Sequence, residues 1–168
     1  MPPGLLAGLV LLGMSLAHFL VPRPLPPLEG TVDRIVVDKS DRTLSLIQDG
    51  RVLRVYPVGL GFEPEGDKLR VGDGRTPEGS FRIDLRNDQS SYHLSLRIDY
   101  PQPDDIARAA EGGYHPGGEI YIHGQPPGVD GRVRLPGDWT AGCIAVTNAN
   151  IEEIWRVAPI GTRVEIVP

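Results

Sequence analysis

The chain has a single cysteine, Cys143, so no disulfide can form within it. It also lacks any block of lysine or arginine: 17 basic residues are scattered among 22 acidic ones, and the formal net charge is -5. Without a basic stripe, nucleic-acid binding has no electrostatic basis. One cysteine and four histidines at these spacings make no metal-ligand pattern, so neither metal nor cofactor is expected. No internal repeat is present, and aromatic residues are only 6% of the chain.

Glycine (21) and proline (17) are plentiful and spread between alternating apolar segments. That distribution implies many turns between short strands, hence a mainly β domain. At 168 residues the chain suits one domain with a real core. Strands are predicted over Thr31 to Asp38, Thr43 to Gln48, Arg51 to Val58, Ser80 to Leu85, Tyr92 to Ile98, Glu119 to His123, Ile144 to Val146 and Thr162 to Val167. Asp49-Gly50 marks a hairpin, and Asn87 to Ser90 reads as a turn. A short helix is predicted over Asp104 to Glu111. A second begins at Asn148 or Asn150 as cap and carries the apolar stripe Ile151, Ile154, Trp155 and Ala158.

Gly4 to Pro22 contains no charged residue and is long enough to cross a bilayer core. It reads as a cleaved signal peptide or an uncleaved membrane anchor, and the proline-rich stretch after it as a stiff tether. The expected organisation is residues 1–22 as signal or anchor, 23–30 as linker and 31–168 as the folded domain, in the periplasm or cell envelope if the segment directs export.

A lone cysteine is more often an inert thiol than a nucleophile, and a strand-end histidine more often a packing residue. Cys143 nevertheless follows Gly142, which allows close backbone approach, and His123 ends a strand before Gly124. A thiol needs a neighbouring base to become a useful nucleophile.

The sequence His123, sixteen further residues, then Thr140-Ala141-Gly142-Cys143 resembles the motif of the L,D-transpeptidases with a YkuD-type catalytic domain. Thr76-Pro77-Glu78-Gly79-Ser80-Phe81 is similar to that family's Thr-Pro-x-Gly-x-Phe strand entry. Ala141 and Ala145 depart from the usual pattern and resemble the YafK-like branch. The resemblance implies a β-sandwich of mixed sheets with one or two short helices. It implies Cys143 as nucleophile and His123 as general base and acid. Gly124 would orient His123, while the Gly142 and Cys143 N–H groups would hold the oxyanion. Thr140, Arg75, His93 and Trp139 are candidate substrate contacts. The implied substrates are peptidoglycan stem peptides cut at diaminopimelate through a thioester, with a stem peptide, a wall-linked lipoprotein or water as acceptor.

Two other readings compete. A sortase should carry Thr-Leu-x-Thr-Cys and a following arginine, both missing here. A peptidoglycan-binding module that lost activity is the non-enzymatic alternative, and Ala141 in place of the motif histidine is the residue that favours it.

Overall fold

The computed structural model describes residues 25–168, so the N-terminal apolar run and the start of its proline tether lie outside the described residues. The elements are β1 (Arg34–Asp38), β2 (Thr43–Gln48), β3 (Arg51–Pro57), β4 (Gly79–Ser90), β5 (His93–Ile98), α1 (Pro103–Gly112), β6 (Tyr121–His123), β7 (Ile144–Ala145), α2 (Asn148–Val157) and β8 (Arg163–Val167). The domain is mainly β, with one mixed sheet and two short helices. The strand order is β3-β2-β1-β8-β4-β5-β6-β7.

Alternation along the strands sets which face is buried. Ile35 and Val37 of β1, Leu44 and Leu46 of β2, and Val164 and Ile166 of β8 all point into one core. Positive φ at Asp49 (50°) and Gly50 (71°) gives the tight hairpin between β2 and β3 that right-twisted strands favour. β8 pairs in parallel with β1 and antiparallel with β4, inserting the C-terminal strand into the middle of the sheet.

β4 is the hinge of the architecture. Its first residues, Gly79 to Arg82, pair with β8, and the rest pairs with β5. The strand continues through the predicted turn at Asn87–Ser90, and the reversal falls at Ser91 and Tyr92 instead. Irregular register between Asn87 and Ser90 absorbs the polar residues that looked like a turn in sequence. Mixed sheets were expected as the layers of a sandwich; here they merge at β4 into one folded sheet. Its two ends also meet. Beyond β3, the Gly59 N–H bonds Ala145 O at 2.9 Å, and the Ala145 N–H bonds Gly59 O at 2.8 Å.

α2 covers the core with Ile151, Ile154 and Val157, and its cap is Thr147, whose hydroxyl accepts the Asn150 N–H at 3.1 Å. Helical backbone starts at Asn148, so neither predicted asparagine is the cap. Leu28 already packs on the core, and the Arg54 guanidinium bonds the Pro26 carbonyl, so the folded unit begins a few residues before Thr31. The long segment after β3 is pinned from inside. Buried Lys39 reaches Gly66 O (2.6 Å), Thr76 O (3.1 Å) and the Glu78 carboxylate (2.7 Å).

Candidate active site

The β6–β7 pairing places the chemistry. β6 and β7 run parallel, with Ile122 opposite Ile144 and His123 opposite Ala145. Ile122 and Ile144 are fully buried on the core face, so His123 points to the other face. Cys143 stands two residues before Ala145 and shares that face. Both side chains line one cleft of about 550 Å³, together with Tyr92, Ser95, Glu119, Tyr121, Trp139 and Ala141.

His123 is only 4% exposed. Its Nδ1 lies 2.7 Å from Gly124 O, and a carbonyl only accepts, so Nδ1 carries the proton and Nε2 keeps its lone pair. Tyr92 lies against the imidazole with ring centroids 4.6 Å apart, and Trp139 meets it edge-on at 5.9 Å. Burial holds the His123 pKa below its ordinary value, against a smaller opposing effect from Gly124 O. The ring is therefore neutral at physiological pH and able to take a proton.

Cys143 Sγ accepts the Tyr121 N–H at 3.4 Å and sits 3.5 Å from Glu119 O. Burial pushes the thiol pKa up; the Tyr121 N–H and the Lys68 charge work against this. Resting cysteine and histidine are thus both neutral. No hydrogen bond joins them among the described residues, and Glu119 O is the acceptor nearest the thiol proton.

The backbone at Cys143 is tightly constrained. Gly142 has φ +137°, and a Cβ there would stand 2.6 Å from Arg75 O. Buried Thr140 bridges the turn: its hydroxyl donates to Cys143 O at 2.7 Å and accepts the Gly142 N–H at 3.1 Å. The Gly142 N–H expected at an oxyanion is therefore committed to Thr140. The Cys143 N–H has no partner among the described residues and is the available donor.

Other expected contacts fall differently. Thr140 spends its hydroxyl within the turn, so it shapes the backbone at Cys143 and is not a free substrate contact. Arg75 lies outside the cleft and bonds Asp67 O at 3.3 Å. His93 is turned toward α2, where Nε2 meets the Glu152 carboxylate at 2.7 Å, and it does not line the cleft. Trp139 does line it, with its Nε1 buried and without a hydrogen-bond partner among the described residues. Gly124 is enclosed, since a Cβ would come within 2.5 Å of Asn148 Oδ1 and 2.8 Å of Tyr92 O.

Tyr92, Asn87, Ser95 and Glu119 were not selected from sequence. Strand register places Asn87 and Ser95 beside His123, while Tyr92 comes from the reversal between β4 and β5 and Glu119 from the segment just before β6. Gln125 was missed too; it ties the segment 124–139 through Leu135 N (2.9 Å) and Val146 O (2.5 Å).

A cysteine and a neutral histidine across two strand ends suit acyl transfer, and comparison with known proteins gives the same class. The model of the YkuD family, described as the L,D-transpeptidase catalytic domain, matches residues 32–166. The chain belongs to this family. Among L,D-transpeptidase-named relatives, YqjB of Bacillus subtilis is 29% identical over 137 residues, covering 79% of this chain and 69% of its own. YkuD of Bacillus licheniformis is 28% identical over 172 residues, covering 99% and 82%. Among solved structures, the helical cell shape determining protein Pgp2 of Campylobacter jejuni is similar with a TM-score of 0.62 and 27% identity. That match covers 82% of this chain but 48% of Pgp2, so the chain spans about half the length of that protein. The L,D-transpeptidase family assignment and the mainly β fold agree throughout the described domain.

Proposed function

We propose that the domain is a cysteine acyltransferase acting on peptidoglycan stem peptides at diaminopimelate. The observation that carries this reading is the shared cleft of Cys143 and His123, with Nδ1 of the histidine fixed on Gly124 O and Nε2 left to take a proton.

His123 Nε2 removes the thiol proton as Cys143 Sγ attacks the stem-peptide carbonyl. The Cys143 N–H stabilises the oxyanion. The C–N bond then breaks, His123 returns the proton to the leaving amine, and a thioester remains on Cys143. An amine acceptor, from a second stem peptide or a wall-linked lipoprotein, gives a cross-link or an attached protein; water gives hydrolysis. The N-terminal apolar run and proline tether support a site facing the cell envelope, with the segment serving as export signal or anchor.

The test is intact-mass analysis after exposure to a carbapenem, an acyl-donor mimic. One adduct is expected on wild type, none on Cys143→Ala and a slower one on His123→Ala. Absence of an adduct, with muropeptides left unchanged by the protein, would favour the non-catalytic binding module. Product analysis on purified muropeptides identifies the acceptor.

A further inference from the structure

The row of residues beside His123 carries a second observation. Asn87 of β4 pairs with Ser95 of β5, and Ser95 pairs with His123 of β6. Directly opposed residues in antiparallel strands present their side chains on the same face, about 4.5–5.5 Å apart. All three line the catalytic cleft. Ser95 is 3% exposed, and what it exposes faces the cleft it lines. A serine hydroxyl in a cleft wall can both donate and accept, so it is placed to meet what enters the cleft. Asn87 Oδ1 already accepts the Gln89 N–H at 2.9 Å, which leaves the Asn87 amide NH₂ as donor.

Two neutral donors side by side read an oxygen. Among the described residues, Glu119 is the only carboxylate lining the cleft, and no lysine or arginine lines it. An anionic oxygen would meet repulsion without a counter-charge, whereas an uncharged carbonyl would not. From Ser95 to Cys143 the path crosses two strand spacings and two residues along a strand, about 12 Å by strand dimensions. An extended peptide covers that in roughly three to four residues.

We propose that Ser95 and Asn87 form a subsite for an uncharged peptide carbonyl of the donor stem peptide, about three residues from the scissile bond. The proposal rests on the acyl-transfer reading of the site and deepens it by naming what holds the remote part of the donor. Ser95 and Asn87 are specificity residues that touch substrate and take no part in the proton transfers.

The test is binding of a synthetic stem tetrapeptide, and of a shortened peptide lacking the residues remote from the scissile bond, to the protein carrying Cys143→Ala. Adding Ser95→Ala should weaken tetrapeptide binding about 3- to 10-fold, the usual range for one hydrogen bond. Asn87→Asp keeps the acceptor for Gln89 but removes the donor, and should weaken it at least as much. The shortened peptide should bind all forms equally. In the otherwise wild-type protein, Ser95→Ala should raise KM and leave kcat near its original value. Unchanged tetrapeptide affinity in both variants, equal losses for the two peptides, or no tetrapeptide binding to any form would overturn the subsite. Carbapenem acylation of Cys143 in the same preparation separates these outcomes: if it proceeds, only the subsite falls; if it fails, the acyl-transfer reading falls as well.

Discussion

Thr140→Val keeps the shape of a buried side chain and deletes its hydroxyl. That hydroxyl serves two backbone groups at once, the Gly142 N–H at 3.1 Å and Cys143 O at 2.7 Å. Thr140 is 5% exposed, so water does not readily replace it. Leaving one buried polar group unsatisfied costs about 1–3 kcal/mol, so two orphaned groups amount to about 2–6 kcal/mol. For a domain of this size, about 1 kcal/mol corresponds to roughly 2–4 °C, which sets an expected fall in melting temperature of about 4–24 °C. The kinetic consequence is more informative. With the clamp gone, the turn that aims the Cys143 N–H loosens, and carbapenem acylation followed by intact mass should slow at least about tenfold, as losses of oxyanion donors do. Thr140→Ser retains the hydroxyl and should acylate near the wild-type rate. The reasoning would be refuted if Thr140→Val, measured well below its melting temperature, acylated as fast as wild type or faster. That result would mean the released Gly142 N–H is itself the productive oxyanion donor.

Three further outcomes are expected. Tyr92→Ala should let water reach His123 and raise its pKa toward the ordinary value, moving the acid limb of the acylation pH profile to higher pH, while Tyr92→Phe leaves the limb in place; an unmoved limb in Tyr92→Ala would show that other groups keep the imidazole dry. Gly124→Ala should destabilise the domain by about 1–3 kcal/mol in urea titrations, because the added Cβ meets Asn148 Oδ1 and the Tyr92 carbonyl. Stability should also depend on pH through the resting pair. The folded His123 value lies below the ordinary 6.5, so its contribution is complete above that pH and is lost as pH falls; the folded Cys143 value lies above 9.0, so its contribution is complete below that pH and is lost as pH rises. Urea midpoints of wild type against His123→Ala and Cys143→Ala isolate the two limbs, and parallel curves would contradict the neutral pair.

The strands and the two helices were legible in sequence because their apolar positions alternate or recur with simple periods. Asp49-Gly50 was readable for the same local reason: both residues accept positive φ. Asn87 to Ser90 misled because its polar composition favours a turn, while pairing with β5 extends β4 through it. Thr147 outcompeted the asparagines as cap because helical backbone begins one residue after it. At the site, the resemblance to the family motif pointed to Cys143 and His123, but the hydrogen bonds around them were not legible. Sequence could not tell that Thr140 would capture the Gly142 N–H, or that Glu152 would draw His93 away. Ser95 and Asn87 depend on register across three strands, a long-range property with no local signature.

The backbone pairing of Gly59 with Ala145 has a consequence for how the cleft can move. A strand of two residues bonded on one side would fray readily, but β7 is held by β6 on one flank and by the segment after β3 on the other. Opening it means breaking both seams together, so the Ala145 and Val146 amides belong with the slowly exchanging protons of the core. Cys143, the proposed nucleophile, is carried on a fixed rail. Adjustment to different substrates must then come from the neighbouring loops, above all the Ser91–Tyr92 reversal and the segment that bears Trp139.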